Sequence, residues 1–177
     1  AGAEGFNPQG LSSLVWAFAS LAAPPAPRLA AALAAEATGR AEELSAQGLS
    51  NVAWAFATMG FRSTVTFHVL AAESKRRLQE FAPQELSSLL WAFASLALRD
   101  AELLRRVSIE ATSNIQAFKP QEMSNLVWAL ATLDVGHAKL ARRVEARLLK
   151  EAEEVPLQLL SSSDVRSLAE AQLGIVR

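Results

Sequence analysis

The chain has no cysteine and only two histidines in 177 residues. Without cysteine there is no disulfide and no thiolate metal site. His68 and His137 lie far apart in unrelated contexts, so they do not supply the converging ligands a metal centre needs. Charge of one sign is lacking too: 17 Lys and Arg against 18 Asp and Glu leave a formal net charge of −1. That removes the global positive field common in nucleic-acid binders, so any such affinity must come from local patches. No apolar run approaches the roughly 20 residues of a membrane span, because serine, glutamine or charge interrupts each one within a helix length. No segment alternates β-branched residues as a strand does. There is no Walker loop, Gly-rich dinucleotide turn, HExxH or nucleophile elbow. The expectation is therefore no cofactor, no metal, no membrane insertion, no small-molecule substrate and no enzyme.

What the chain does have is period. Trp16, Trp54, Trp91 and Trp128 are its only tryptophans, spaced 38, 37 and 37 residues apart. Each sits in nearly the same phrase: FNPQGLSSLVWAFASL from Phe6, LSAQGLSNVAWAFATM from Leu44, FAPQELSSLLWAFASL from Phe81 and FKPQEMSNLVWALATL from Phe118. A fifth copy begins as VPLQLLSS at Val155 and degenerates, with Val165 where a tryptophan would stand. Gln9, Gln47, Gln84, Gln121 and Gln158 hold the register throughout. Such self-similarity marks a tandem array. Its repeats run approximately 6–43, 44–80, 81–117 and 118–154, with a degenerate one at 155–177, and the whole chain 1–177 reads as one array. Repeats one and three share LSSLxWAFASLA, whereas two and four carry Ser-Asn before the tryptophan and Ala-Thr after it. This longer rhythm points to a duplicated two-repeat unit. The chain starts at Ala1 without methionine, close to a repeat and without a basic leader, which reads as a processed or partial chain.

Each phrase reads as a helix, rich in Ala and Leu with proline at the first turn, where a missing N–H costs nothing. Asn7 and Ser45 suit the N-cap. At about 100° per residue, Leu11, Leu14, Val15, Phe18 and Leu21 share one side, the expected buried stripe. Gln9, Ser13, Trp16 and Ser20 share another, with the small residues Ser12, Ala17 and Ala19 on the flanks, where they let neighbouring helices approach. A second amphipathic pattern follows each connector (AAPPAP at Ala22 to Pro27, GFRS at Gly60, ALRD at Ala97, DVGH at Asp134). In repeat three its stripe is Leu103, Leu104, Val107, Ala111 and Ile115; in repeat four it is Leu140, Val144, Leu148 and Ala152. Two helices of about 13 and 17 residues fill the period. The expected fold is all-α, a right-handed α-solenoid of two-helix repeats, four full and one degenerate. Glu36, Glu73 and Glu110 recur on second helices, a spacing that suggests structure rather than catalysis.

The phrase Phe-x-Pro-Gln-x-Leu-Ser-Asn/Ser-x-x-Trp-Ala-Phe/Leu-Ala-Ser/Thr-Leu at a 37–38-residue period resembles the octotricopeptide and heptatricopeptide repeat families of organellar RNA-binding proteins. The copies from Leu44 onward look most like the heptatricopeptide type, and Pro24 to Leu29 weakly echoes the octotricopeptide connector. The resemblance implies RNA binding in a mitochondrion, or alternatively a chloroplast. The implied roles are RNA processing, stability or translation, or contact with rRNA in a mitochondrial ribosome. Members often end in a small RAP domain. The alternative is a scaffold or adaptor subunit of a large organellar complex, with mainly protein contacts.

In a helical-repeat RNA reader, one or two side chains of each first helix meet a base edge. The base-facing candidates are Gln9, Ser13 and Ser20; Gln47, Asn51 and Thr58; Gln84, Ser88 and Ser95; and Gln121, Asn125 and Thr132. All are neutral groups that donate and accept hydrogen bonds. The glutamines equally suit helix capping or bonds between repeats. The tryptophans either stack on bases or wedge between first helices. Phosphate candidates fall on second helices: Lys75, Arg76 and Arg77; Arg105 and Arg106; Lys139, Arg142, Arg143 and Arg147, with Lys150 nearby. Arg105/Arg106 and Arg142/Arg143 are equivalent and would align as a ladder, for a phosphodiester backbone or an acidic partner surface, or as an ordinary solvated face. Arg147–Glu151 and Lys150–Glu154 have the i, i+4 spacing that dilutes such a field.

Overall fold

Every phrase containing a tryptophan becomes a 13-residue helix: α1 (Pro8–Ser20), α3 (Ala46–Thr58), α5 (Pro83–Ser95) and α7 (Pro120–Thr132). The computed structural model describes residues 6–21, 25–134 and 138–154, the side chains of 151–154 excepted. The first helices start by two chemistries. The Asn7 and Ser45 side chains accept from the amides of Gly10 and Gly48 at 2.6 and 3.1 Å. In the later repeats the carboxylates of Glu85 and Glu122 reach back to accept from the amides of Ala82 and Lys119 at 2.7 and 2.8 Å. Either way an amide that the helix leaves unpaired finds an oxygen.

Each second amphipathic pattern is also helical: α2 (Pro27–Gly39), α4 (Thr64–Arg76) and α6 (Ala101–Ser113) have 13 residues, and α8 (Ala138–Glu154) has 17. The 17-residue second helix expected from the period is thus found only in α8. In the first three repeats the α-helix stops at Arg40, Arg77 and Asn114, with φ of −121°, −123° and −116°, and the chain continues in the 3-10 turns Ala41–Glu43, Leu78–Glu80 and Ile115–Ala117. Packing explains the break. The turn delivers Ala41 and Leu44, Leu78 and Phe81, and Ile115 and Phe118 into the core just ahead of the next first helix. Ile115 is therefore buried as expected, but from a turn rather than a helix.

The connector after α3 is a Schellman motif. Gly60 has φ of 68°, the Phe61 amide bonds the Phe56 carbonyl at 2.8 Å and the Gly60 amide bonds that of Ala57 at 3.0 Å. The rings of Phe56 and Phe61 meet at 5.2 Å, closing the motif with an apolar contact. Ala97 occupies the same left-handed position after α5, with φ of 50°, and Asp134 after α7, with φ of 52°.

Among the described residues there are eight α-helices and no strand. α1 lies against α3, α3 against α5 and α5 against α7, and these are the heaviest packings in the chain. In the same way α2 lies against α4, α4 against α6 and α6 against α8, and each first helix touches its own second helix. Alanine makes the first series possible: Ala53, Ala55 and Ala57 of α3 are buried between neighbours, where larger side chains would hold the backbones apart. Phe67 of α4 meets Phe93 of α5 edge to face at 5.1 Å, which ties the two series together. Of the stripe expected on α1, Leu11 and Val15 are buried and Leu14 and Phe18 half-buried, while Leu21 is 74% exposed because it lies past the helix end. In α8, Leu140 and Val144 are buried but Leu148 is exposed. Ala152 falls outside the described side chains, as does the fifth repeat.

Candidate nucleic-acid interface

Most of α3 is buried: Ala46, Gly48, Leu49, Ser50, Val52, Ala53, Ala55, Phe56 and Ala57. With α1, α5 and α4 packed against it, what remains toward solvent is chiefly one line, Gln47, Asn51, Trp54 and Thr58. The same line is Gln9, Ser13, Trp16 and Ser20 on α1, Gln84, Ser88, Trp91 and Ser95 on α5, and Gln121, Asn125, Trp128 and Thr132 on α7. All twelve base-facing candidates are exposed or half-buried there. None of these positions carries a charge.

The hydrogen bonds separate the two roles considered for the glutamines. The caps are Asn7, Ser45, Glu85 and Glu122, not glutamine. Among the described residues the side chains of Gln9, Gln47 and Gln84 make no hydrogen bond, and Gln121 donates only to Asn125 of its own line at 3.1 Å. The buried serines beside them satisfy the backbone instead: Ser12, Ser50 and Ser87 donate to the carbonyls of Gln9, Gln47 and Gln84 at 3.0, 3.1 and 3.0 Å. Ser95 donates to the Trp91 carbonyl at 2.8 Å and keeps its acceptor lone pairs. Gln9, Gln47 and Gln84, with Ser13, Asn51 and Ser88, are therefore free to meet an external partner.

Between the N-terminal halves of α1 and α3 the line opens into a cleft of about 620 Å³, lined by Gln9, Ser13, Gln47 and Asn51 among others. Gly48, at the third helical position, lines it, and a Cβ there would come 3.3 Å from the Cβ of buried Leu44. Repeat three has Glu85 at this position, and the cleft that it lines with Gln47, Asn51 and Ser88 is only about 90 Å³.

The tryptophans neither sink into the core nor stand alone. The rings of Trp16 and Trp54 lie 6.4 Å apart at 31°, and those of Trp91 and Trp128 lie 6.4 Å apart at 31°. No ring contact joins Trp54 to Trp91 among the described residues. Trp54 and Trp91 are half-buried and Trp16 and Trp128 exposed, so each pair keeps ring surface in water. This pairing was missed from the sequence, although its signal was present in the two-repeat rhythm of the flanking residues.

The phosphate candidates lie elsewhere. All are on second helices or their ends, whereas the line is on the first helices. The two candidate groups therefore lie on different helices, although Arg77 reaches the start of α3. The cations are also engaged. Arg105 and Arg106 both grip Glu102, at 2.9 and 2.6 Å, and their hydrogen bonds hold its carboxyl down at about 2. Lys75 pairs with Asp100 at 2.8 Å and Arg76 with Glu73 at 2.7 Å. Arg77 turns inward, donating to the Leu44 carbonyl at 2.7 Å, and Arg147 donates to the Ile115 carbonyl. Lys139, Arg142 and Arg143 are exposed on α8, which adjoins α6. Glu151 and Glu154 fall outside the described side chains.

The recurrent glutamates are structural at two positions. Glu36 pairs with Arg40 at 3.2 Å and Glu73 with Arg77 at 3.8 Å. Arg40, missed from the sequence, stands 37 residues before Arg77 and four after Glu36, which is the signal that could have found it. Among the described residues no three His, Cys, Asp or Glu side chains form a metal-holding group, and no helix is long and apolar enough to cross a membrane. His137 lies outside the described residues. The chain matches no protein-family model and no curated protein sequence.

Proposed function

We propose that the protein is an RNA-binding, right-handed α-solenoid of two-helix repeats, and a binding protein rather than an enzyme. It acts in a mitochondrion, with a chloroplast as the alternative, in RNA processing, stability or translation or as an rRNA-contacting component of a mitochondrial ribosome. The repeat phrase supports the organellar setting. The observation that carries RNA binding is the outer line of the four first helices, where amide and hydroxyl groups, those of Gln9, Ser13, Gln47, Asn51, Gln84 and Ser88 without internal partners, alternate with aromatic rings. Such groups pair with base edges and stack on base faces, which suits single-stranded RNA with its bases turned out. The cleft between α1 and α3 has the volume for a nucleobase among Gln9, Ser13, Gln47 and Asn51, with the Arg40-paired Glu43 carboxylate also on its wall. Purified protein should carry RNA, and Asn51→Ala with Ser88→Ala should change which oligoribonucleotides it prefers without lowering its melting temperature. If the folded double variant kept the wild-type preference, the line would not read bases.

A second reading has its own support. The second helices carry opposite charges already paired, as in Arg105 and Arg106 with Glu102, and the net charge is −1. A surface of that kind suits the rim of a protein interface, in a scaffold subunit of an organellar assembly. Association with a protein partner that survives nuclease, from a chain that binds no RNA, would favour it.

A further inference from the structure

The two tryptophan pairs have the same separation and tilt, 6.4 Å and 31°, and belong to repeats one with two and three with four. The rings are thus organised by twos, although the sequence period is one repeat. Three residues before and four after each tryptophan, one helical turn away on the same helix, stand neutral groups: Ser13, Ser20, Asn51 and Thr58 for the first pair, Ser88, Ser95, Asn125 and Thr132 for the second. No phosphate-seeking cation stands at any position of this line; the nearest in the chain, Arg40 and Arg77, are held on the Phe6 and Leu44 carbonyls and on glutamates.

We propose that each tryptophan pair is one platform on which a nucleobase of single-stranded RNA stacks, so that the array engages its strand once per two repeats rather than once per repeat. This inference rests on the RNA-binding reading and adds the mode of binding and its period. Stacking accepts any base, because every base has a π face, and the neighbouring amide and hydroxyl groups meet base edges without ionic contacts. Affinity through this face therefore depends little on salt, unlike binding built on phosphate contacts, whose affinity falls steeply as counterion release weakens.

Intrinsic fluorescence tests it directly, since tyrosine is absent and these four tryptophans are the only ones. The probes are eight-nucleotide oligo(A) and oligo(U), an abasic strand of the same length, and an oligoproline peptide. Oligo(A) and oligo(U) should quench the emission with an affinity that changes little between low and moderate salt, and the abasic strand and the peptide should not. Trp16→Leu, Trp54→Leu and the double variant should each lower affinity about tenfold or more, to similar extents, because losing either ring spoils one platform. Trp91→Leu, Trp128→Leu and their double variant should do the same. Trp54→Leu with Trp91→Leu, which damages both platforms, should lose the product of the two effects. Trp54→Phe should retain most of the affinity, which separates loss of the π face from loss of the fold; circular dichroism melting confirms that each variant is folded. Equal, additive losses for all four tryptophans would overturn the two-repeat period. Unchanged affinity in folded Leu variants would overturn the platform and leave RNA binding standing. Wild-type protein that binds neither oligonucleotide would overturn both, and quenching by oligoproline instead would assign the rings to a protein partner.

Discussion

Arg77 Nη2 donates to the Leu44 carbonyl at 2.7 Å, closing 33 residues of chain with one hydrogen bond. Arg40 does the same to the Phe6 carbonyl at 2.7 Å. In both repeats the residue at the end of the second helix clasps the residue just ahead of the first helix's N-cap. Asn114 takes the equivalent place in repeat three, where this guanidinium clasp is lacking.

Arg77→Ala should destabilise the protein by about 2 kcal/mol, the loss of a charged donor to a carbonyl in a half-buried site. The urea midpoint measures it, at unchanged slope. Affinity for oligoribonucleotides should stay at the wild-type value in the folded variant. Weakened binding there would return Arg77 to the phosphate role its sequence position suggested.

Ala97 sits at φ of 50°, where its equivalent Gly60 has φ of 68°. An L-residue with a Cβ pays roughly 1–2 kcal/mol in this region and glycine does not, although glycine loses more chain entropy on folding. Ala97→Gly should therefore raise stability by about 0.5–1 kcal/mol, and Gly60→Ala should lower it. Thermal melts of the two variants that move in the same direction would refute the argument.

Asp100 caps α6, accepting from the Leu103 amide at 2.8 Å while pairing with Lys75. Burial pushes its carboxyl up, but the Lys75 and Leu103 hydrogen bonds outweigh that and hold it below its ordinary value. A carboxyl lowered in the folded state contributes stability that is present above its unfolded pKa of about 3.9 and is lost as pH falls through the lower folded value. Asp100→Asn keeps a capping oxygen and removes the ion pair, so it should cost about 1 kcal/mol at pH 7. That difference should shrink as pH falls from 5 to 2. Urea midpoints across this range check it, and a constant difference would mean that the ion pair is not its source.

Arg105→Ala with Arg106→Ala removes the most exposed guanidinium pair of α6, together with its hold on Glu102. Binding of eight-nucleotide RNA at moderate salt should change less than twofold, since the proposed base-stacking line is on the first helices and these arginines are on a second. A loss of tenfold or more, with a shallower salt slope than wild type, would show that the strand reaches the second helices after all.

Much of this molecule is written one residue at a time and so was legible in the chain. Helix starts at Asn7 and Ser45, the first-helix boundaries, the polar line through Gln47, Asn51, Trp54 and Thr58, and the buried Leu49, Val52 and Phe56 all follow from local capping and a 3.6-residue period. The same local rules misjudged the second helices. Nothing local distinguishes Ile115 on a continuing helix from Ile115 on a 3-10 turn; the difference is where Phe118 must go to reach the core.

What the sequence by itself determined is period, helicity and which side of each first helix stays wet, because those depend on neighbours within a turn or two. Tertiary structure alone decided two things: that the tryptophans meet as Trp16 with Trp54 and Trp91 with Trp128, and that Arg77 serves the backbone at Leu44. Each depends on residues more than thirty positions apart, whose relative placement is set by how alanine-lined helices close on one another and not by the preferences of any single residue.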